Sequence, residues 1–503
     1  MDILSDGDAE RLRDCLLAAD YTYDGVAALL GPTAHAALGR NETTPGLRAT
    51  TDGSPLSTLT RLWPLQGAVV VDDAERALPG LVDALCVARI LDRSDEVVRA
   101  RADLRPYADG DRDWWVVSDL TPGLDGGDAG VGPDHVLGVS SASTSLAQLT
   151  VRRPVERALD LGTGCGVQAL HLAGHAAEVV ATDVNERALA MTRLNAVLNG
   201  VRLDVRSGSL FEPVRGERFD LVVSNPPFVI SPGTGERLVY RDSGLPGDEV
   251  VRRVVTGAPA HLRAGGWCQV LANWVHSDDQ PWDERLSGWL DGTGCDAWVV
   301  QREVVDVAQY VELWLKDAGL HGAPDYGTRY DTWLAWFEAQ RVRAVGFGWL
   351  NLRRTGRDRP VLRLEEWPFD LEQPVGPEVA AWGRRTDLLA STDDPALTAG
   401  RFVVRPDVRQ ETFGSPGAED PERIVLRQQR GLRRARQVDT VEAGLVGACD
   451  GDLSIGQILD ALSTLLERDP AEVRTTYLPN VREMVAEGFL VPELSGAEGA
   501  ITP

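Results

Sequence analysis

The chain has 503 residues, more than one hydrophobic core usually spans, so two or three domains are expected. A hydrophobic fraction of 43% and a charged fraction of 25% are typical of a globular protein, and the absence of a bilayer-spanning run or a secretory leader favours a cytoplasmic one. The formal net charge of -25 disfavours binding of a long phosphate backbone, and six scattered cysteines without a CxxC pair argue against a zinc site or a disulfide framework.

The first domain is expected at residues 1–122 and is predicted to be mostly helical. Helical periodicity of apolar residues runs through DAERLRDCLLAAD, DGVAALLG, SPLSTLTRLWPLQ and LPGLVDALCVARIL. Two extended stretches follow, EVVRARADLRPYA and DWWVVSDL. Helices followed by a hairpin resemble a winged-helix or another small α+β module. The Gly- and Asp-rich residues 123–135 are predicted to be a linker.

Residues 136–355 alternate between strand and helix patterns. The strand candidates are RALDL, EVVATD, LDVRSGS, FDLVVSN, GWCQVLANWV, DAWVVQREV and RAVGFGWLNLRR, and helical stretches separate most of them. Such alternation predicts an α/β domain with a mainly parallel sheet covered by helices on both faces. Ligands of such a domain bind beyond the carboxyl ends of the strands.

Residues 356–495 are predicted to form a third domain of α+β type. Extended pieces precede helices in TVEAGLVGACDG, SIGQILDALSTLLERD and AEVRTTYLPNVREMVAEG, and the strand FLVPE would close a winged-helix-like unit. The stretch from Arg423 to Arg436 contains six arginines. Two interpretations of this stretch are open: it is a solvated helix face, or it is a contact surface for an acidic partner or RNA.

Three glycines at alternate positions mark a candidate ligand-binding turn. In RALDLGTGCGVQALHLA a strand ends at the acidic Asp160, and Gly162, Gly164 and Gly166 lead into a helix. Glycine permits unusual backbone angles and removes side chains, so a ligand can lie against the peptide groups. The next strand, EVVATD, ends at Asp183, whose carboxylate can accept hydrogen bonds from both hydroxyls of a ribose.

The motifs DLGTGCG and ATDVNERAL, in this order along the chain, resemble those of class I S-adenosylmethionine-dependent methyltransferases. The resemblance implies a Rossmann-like, seven-stranded methyltransferase sheet with S-adenosyl-L-methionine as the cofactor. It also implies that the glycines line the methionine and ribose, that Asp160 meets the amino-acid end and that Asp183 holds the ribose hydroxyls. Ser209 and Leu210 would meet the adenine. The whole expected cofactor-binding set is Asp160, Gly162, Thr163, Gly164, Gly166, Asp183, Val184, Ser209, Leu210 and Asn225.

A rigid polar tip follows the fourth strand, where FDLVVSN runs into Asn225, Pro226, Pro227 and Phe228. Proline fixes its own φ and biases the preceding residue toward extended geometry, so this loop is a stiff template. The Asn225 side-chain oxygen and the Pro226 carbonyl could bind the two hydrogens of a planar amino group and aim its lone pair. Phe228 would pack on the flat face of that group. These four residues are the predicted catalytic set.

NPPF resembles the signature of methyltransferases that modify planar nitrogens. Their acceptors are glutamine side chains of translation release factors, the exocyclic amine of guanine in RNA, and that of adenine in DNA or RNA. Over residues 136–275 the order of motifs, through LNAVLNG, GSLFEP and YRDSGLPGDEVVRRVV, is that of release factor glutamine N5-methyltransferases. One departure lies at HVLGVSSASTSLAQLTV, where those enzymes usually carry an Arg-Pro-Glu-Thr-Glu-like run. The way in which the protein closes over the cofactor, and the acceptor itself, can therefore differ from those of the release factor enzymes.

We therefore expect an N-methyltransferase that acts on a protein side-chain amide, in first place that of glutamine, in a partner such as a translation factor. Two alternatives stay open: RNA base methylation at guanine N2 or adenine N6, and small-molecule N-methylation in specialised metabolism. A cofactor fold kept as a non-enzymatic scaffold would predict loss of Asp183 or Asn225, and both are present. No metal is expected, because His171 and His175 have metal-ligand spacing without an evident third ligand.

Overall fold

The structure is a computed structural model that describes residues 4–110, 112–122, 124, 132, 134–227, 229–232, 244–416 and 421–493. The chain divides into two compact units. Unit 1 comprises residues 1–147 and 153–367, and unit 2 comprises residues 148–152 and 368–503. Unit 1 thus contains the expected first domain and the expected second domain except for residues 148–152. The predicted domain boundaries themselves stay predictions.

The first part of unit 1 is mostly helical, as predicted. Its elements are α1 Asp6–Ala18, α2 Tyr23–Leu38, α3 Thr44–Ala49, α4 Pro55–Leu62, β1 Val69–Val70, α5 Val71–Ala77, α6 Val82–Val87, β2 Leu91–Arg93 and β3 Val97–Ala100. Helix α1 begins after Ser5, whose hydroxyl accepts the Asp8 N–H at 3.2 Å and so satisfies a free helical donor. Strand β3 pairs antiparallel with both β1 and β2. The winged-helix assignment stays a prediction.

An antiparallel pair of strands, β4 Asp103–Asp109 and β5 Arg112–Ser118, follows and is called here the N-terminal hairpin. It packs against the central domain through aromatic side chains. The Trp114 ring stands edge-on to the His171 ring with centroids 4.8 Å apart. The Tyr107 hydroxyl lies 3.0 Å from His171 Nε2. His171 is therefore a packing residue at this contact.

The central domain is an eight-stranded sheet with helices. Its elements are α7 Ser141–Leu149, β6 Val155–Leu161, α8 Val167–Leu172, β7 Ala176–Asp183, α9 Glu186–Leu198, β8 Asp204–Ser207, a 3-10 turn Glu212–Val214, β9 Phe219–Ser224, α10 Glu249–His261, β10 Leu262–Ser277, α11 Trp282–Leu290, β11 Cys295–Asp306, α12 Val307–Asp317, α13 Tyr326–Ala339, β12 Val342–Arg354 and β13 Leu362–Glu366. The strand order is β13-β11-β12-β10-β9-β6-β7-β8.

Strands β8, β7, β6, β9 and β10 run parallel, and β12 runs antiparallel to both of its neighbours. This confirms the predicted Rossmann-like sheet. The eighth strand, β13, pairs with β11 at the edge. Strand β13 lies beyond residue 355, where this domain was expected to end. The sequence around it has no local signal that assigns the strand to the central sheet. Parallel pairing brings the carboxyl ends of β6 to β9 to one edge.

Unit 2 combines helices with two small sheets. Its elements are α14 Gly376–Ser391, α15 Asp394–Ala399, β14 Arg401–Val404, β15 Val408–Phe413, β16 Arg423–Gln428, β17 Ala435–Val438, α16 Thr440–Gly447, β18 Asp450–Ser454, α17 Ile455–Leu465, α18 Pro470–Glu487 and β19 Leu490–Pro492. The sheet orders are β18-β14-β19 and β15-β16-β17. The α+β composition was predicted, and the winged-helix assignment stays a prediction. In the described part of the chain, no helix is both long and apolar enough to cross a membrane.

The arginine-rich stretch forms strands β16 and β17, so its interpretation as a helix face is wrong. Ion pairs join Arg427 to Glu411 at 2.7 Å, Arg430 to Glu372 at 3.1 Å and Arg436 to Glu483 at 3.0 Å. Acidic neighbours that are distant in sequence thus neutralise much of its charge. The stretch is a weaker candidate for RNA contact than its composition indicates.

Candidate active site

A cavity of about 440 Å³ opens where the carboxyl ends of β6, β7, β8 and β9 meet. The chain reverses its order of strands between β6 and β9, which is where open α/β sheets bind ligands. Most of the predicted site residues lie on the cavity wall: Gly162, Thr163, Gly164, Asp183, Val184, Ser209, Leu210, Asn225, Pro226 and Pro227. Asp160 and Gly166 lie outside this wall, and Phe228 lies outside the described residues.

The glycine turn offers bare backbone to the cavity. Gly162 and Gly164 have φ values of 77° and 57°, which disfavour any residue with a side chain. A Cβ built on either residue would meet no heavy atom within 4 Å. The N–H groups of Gly162 and Thr163 both donate to the Thr182 carbonyl at 2.9 Å, which fixes the turn against β7. The space beside the turn is therefore available to a ligand.

Gly166 has a different role in the geometry. Its φ is 89°, and a Cβ there would stand 3.1 Å from Thr192 Cγ2 on α9. The residue lets the turn pack closely against that helix and lead into α8. Its expected place beside the methionine stays a prediction.

Asp183 closes the wall at the end of β7. Its Oδ2 accepts the Gly164 N–H and its Oδ1 accepts the Asn185 N–H, both at 2.9 Å. Burial raises the pKa of this carboxyl, and the hydrogen bonds from the backbone oppose the shift. Each carboxylate oxygen has a second lone pair, so the group can still accept hydroxyl donors from the cavity.

Asp160 lies behind the glycine turn and is only 1% exposed. Its Oδ2 accepts the Thr163 hydroxyl at 2.6 Å and the Ala169 N–H at 3.0 Å. Its Oδ1 is buried and has no hydrogen-bond partner among the described residues. Burial raises the pKa of Asp160 to about 7, and the nearby Asp183 carboxylate adds to the rise, while the two hydrogen bonds oppose it.

Asn225 contributes a side-chain acceptor to the cavity wall. It follows β9, whose last residue is anchored by a hydrogen bond from the Ser224 hydroxyl to the Leu161 carbonyl at 2.8 Å. The Asn225 Oδ1 atom is buried without a hydrogen-bond partner among the described residues. A buried polar atom left in this state costs free energy unless something binds it. Pro226 and Pro227 extend the same wall.

Apolar groups line another part of the wall. Val184 is 59% exposed, although it follows a buried strand. Leu210 has a φ of 47°, an unusual value for a branched side chain, and also lines the cavity. These two side chains provide apolar surface of the kind that a flat ring can cover.

The sequence did not indicate that the segment at 135–138 belongs to the candidate site. Residue 135 was expected at the end of a linker and residues 136–138 at the start of the α/β domain. This segment lines the cavity. The Val136 N–H donates to Asp119 Oδ2 at 2.7 Å, so a carboxylate just after the N-terminal hairpin fastens this wall. The one signal in the sequence was Asp119, an acidic residue directly after an apolar strand. The sequence did not indicate that Asp119 would bind the backbone of Val136.

Three further wall residues come from helices. Ser143 near the start of α7 is held by Gln168, whose Nε2 donates to the Ser143 carbonyl at 2.8 Å. Arg253 on α10 also lines the cavity, and its Nε donates to Glu249 at 2.8 Å. The pattern VVRRVV contains two neighbouring arginines, and helical periodicity does not indicate which of them faces a site that α10 reaches only in the folded protein.

These groups fit the cofactor that the sequence implies. The open glycine backbone with Asp160 behind it matches an amino acid, the Asp183 carboxylate matches a ribose, and the apolar wall matches a nucleobase. Among the described residues, no group of three His, Cys, Asp or Glu side chains is placed to hold a metal ion. The sheet and the cavity together define the central region as a class I methyltransferase domain.

Comparison with known proteins agrees with this class. The family described as "Methyltransferase small domain" matches residues 138–281. Two families described as "Domain of unknown function" match the flanking regions, DUF7059 at residues 18–101 and DUF7782 at residues 380–492.

Curated relatives named as methyltransferases match about a quarter of this chain. A "Release factor glutamine methyltransferase" of Xylella fastidiosa is 40% identical over 24% of this chain and 47% of its own. A "Ribosomal protein uL3 glutamine methyltransferase" of Bradyrhizobium diazoefficiens is 35% identical over 27% of this chain and 47% of its own. A "Ribosomal RNA small subunit methyltransferase C" of Alcanivorax borkumensis is 32% identical over 23% of this chain and 32% of its own. The chain thus spans half or less of the length of these relatives.

Solved methyltransferases also resemble part of the chain. A 16S rRNA N2 G1207 methyltransferase of T. thermophilus, solved with AdoMet and guanosine, is 19% identical, with a TM-score of 0.27. The match covers 49% of this chain and 65% of the other.

Proposed function

We propose that this protein is an S-adenosylmethionine-dependent N-methyltransferase that acts on the side-chain amide of glutamine in a protein. The observation that carries the proposal is the buried Asn225 Oδ1, which has no hydrogen-bond partner among the described residues, on the wall of a class I methyltransferase cavity. A planar NH2 group is a ligand that would satisfy this acceptor.

The cofactor would lie across the glycine turn. Gly162 and Gly164 would hold its amino-acid and ribose parts, Asp183 its ribose hydroxyls, and Val184, Ser209 and Leu210 its adenine. Asp160 would act from behind the turn, where its Oδ1, which the described part of the chain leaves without a hydrogen bond, can meet a positive charge or a bridging water. When bound, S-adenosylmethionine supplies an electrophilic methyl group.

The acceptor nitrogen is held by the residues after β9. Asn225 Oδ1 and the Pro226 carbonyl would each accept one hydrogen of the NH2 group and so orient its lone pair. The two prolines keep these acceptors in one arrangement before the substrate arrives. Orientation of this kind can lower a barrier by up to roughly 7 to 11 kcal/mol, whereas one neutral hydrogen bond contributes about 1 kcal/mol net. Positioning therefore accounts for most of the proposed catalytic effect.

A protein acceptor is favoured over RNA for two reasons. The relatives with 40% and 35% identity are named as glutamine methyltransferases. The net charge is -25, and three arginines of the stretch from Arg423 to Arg436 form ion pairs with acidic side chains. RNA base methylation is the second candidate, because another relative is named as a ribosomal RNA methyltransferase.

The test incubates the purified full chain and methyl-labelled cofactor with lysate from a strain that lacks the gene. Label in RNase-resistant, protease-sensitive material, with a methylated glutamine found by mass spectrometry, is the expected result. Label in RNA would instead support RNA base methylation, and label in a small molecule would support small-molecule N-methylation. The control is the Asn225→Ala variant, which should transfer no label. Absence of transfer to any fraction by a wild-type protein that binds the cofactor would contradict the proposed activity.

A further inference from the structure

Asn195 of α9 and Asn199, the C-cap residue of that helix, hold the N-terminal hairpin against the central domain. Asn199 accepts the Trp115 N–H at 2.9 Å and donates to the Trp115 carbonyl at 2.8 Å. Asn195 likewise accepts the Val117 N–H at 2.7 Å and donates to the Val117 carbonyl at 2.9 Å. Residues two apart on a strand point their backbone groups to the same side, so the two amides replace a neighbouring strand for β5.

Asn195 and Asn199 differ in the partner of a third hydrogen bond. Asn199 Nδ2 also donates within the helix end, to the Asn195 carbonyl at 2.7 Å, and that carbonyl accepts the Asn199 N–H as well. Asn195 Nδ2 donates instead to the Cys165 carbonyl at 2.7 Å, which uses the second of its two hydrogens. Cys165 lies in the glycine turn between Gly164 and Gly166 and is 3% exposed. One fully buried amide therefore joins the backbone of the hairpin to the backbone of the turn.

The turn depends on such contacts for its shape. Gly164 and Gly166 both have positive φ, and the Gly164 carbonyl accepts the Thr192 hydroxyl of α9 at 2.8 Å. Without Asn195 the Cys165 carbonyl, in a residue only 3% exposed, would have no hydrogen-bond partner within the described ranges, and a shift of the turn toward water would relieve this cost. Such a shift would move the backbone that faces the cavity.

We propose that Asn195 is a positioning residue that couples docking of the N-terminal hairpin to the shape of the glycine turn, so that the hairpin influences the affinity for the cofactor through this one amide and not through its other contacts with the central domain. This inference rests on the proposed function in one respect, which is that the cavity binds S-adenosylmethionine. The coupling itself is a property of the protein without ligand.

The chain provides a matched control for this coupling. Asn195→Ala and Asn199→Ala each remove two hydrogen bonds to β5, but Asn195→Ala alone frees the Cys165 carbonyl. Titration calorimetry with S-adenosylmethionine should show Kd raised about tenfold in Asn195→Ala, equal to about 1.4 kcal/mol, and changed less than about twofold in Asn199→Ala. Hydrogen exchange of the ligand-free protein should be faster at residues 162–168 in the first variant than in the second.

Equal effects of the two variants on Kd and on exchange at 162–168 would overturn the inference, because docking of the hairpin alone would then explain them. If Asn195→Ala does not fold, Asn195→Ser and Asn199→Ser form the same matched pair with a smaller loss of volume. A wild-type protein that binds no cofactor would instead contradict the proposed function, and the exchange measurement would still decide the role of Asn195.

Discussion

Asp160 gives the protein a stability that depends on pH, and Asp160→Asn tests this directly. Burial raises the pKa of the carboxyl from its ordinary value of 3.8 to about 7 in the folded protein. The folded state therefore keeps the proton over a range in which the unfolded chain has lost it. An acid with a raised folded pKa contributes stability that is fully present below the unfolded pKa and is lost as pH rises through the folded pKa.

The size of the effect follows from the two pKa values. Between pH 5 and pH 8 the wild-type protein should lose about 3 kcal/mol of unfolding free energy through this one group. Asp160→Asn has nearly the same shape and does not titrate, so its stability relative to wild type should rise by this amount over the same interval. Thr163→Val removes a hydrogen bond that lowers the pKa of Asp160, and it should extend the loss to higher pH.

The assay is urea unfolding at pH 5 and pH 8 with pulsed hydrogen exchange of peptides from 155–172, which reports on the unit that contains Asp160. The wild-type free energy minus that of Asp160→Asn should fall with pH. A difference that is the same at both pH values would refute the reasoning, because it would mean that Asp160 is ionised throughout and that burial is not the dominant influence on its pKa.

Three further outcomes are expected at the cavity. Asn225→Ala should lower methyl transfer by about 10²-fold or more while the cofactor Kd measured by calorimetry stays within about threefold, and a large loss of binding would contradict its role at the acceptor. Asp183→Ala should raise the cofactor Kd about tenfold or more, and unchanged affinity would remove Asp183 from the ribose site. Gly166→Ala should destabilise unit 1 by at least about 1 kcal/mol in the same urea assay, because its positive φ and the nearby Thr192 both oppose a side chain, and unchanged stability would show that the turn can relax.

The hairpin contact bears on how the flanking modules are understood. The N-terminal hairpin is held by α9, the helix that also holds the glycine turn through Thr192 and Asn195. A region matched by a family of unknown function thus leads directly into a strand pair that touches the candidate site. Its effect on cofactor affinity can be measured before its own partner is known.

The sequence by itself determined the central sheet and the core of the site. Its strand and helix periods alternate, and parallel strands place their carboxyl ends at one edge, so motifs after β6, β7, β8 and β9 had to converge. This is why Gly162, Asp183 and Asn225 could be expected at one edge of the sheet, whereas the place of Leu210 came from the resemblance to class I methyltransferases. Local backbone demands, such as left-handed glycines and paired prolines, are visible directly in residue types.

Only the tertiary structure decided the contacts between residues that are distant in the chain. The addition of β13 to the sheet, the wall at 135–138 and the choice of Arg253 depend on which surfaces meet after folding. The pairing of β16 and β17 arginines with distant carboxylates, and the double contact of Asn195, have no local signature either. Hydrogen bonds and ion pairs form between groups that packing brings within a few ångströms, and a periodic pattern specifies which face is buried but not which partner it meets.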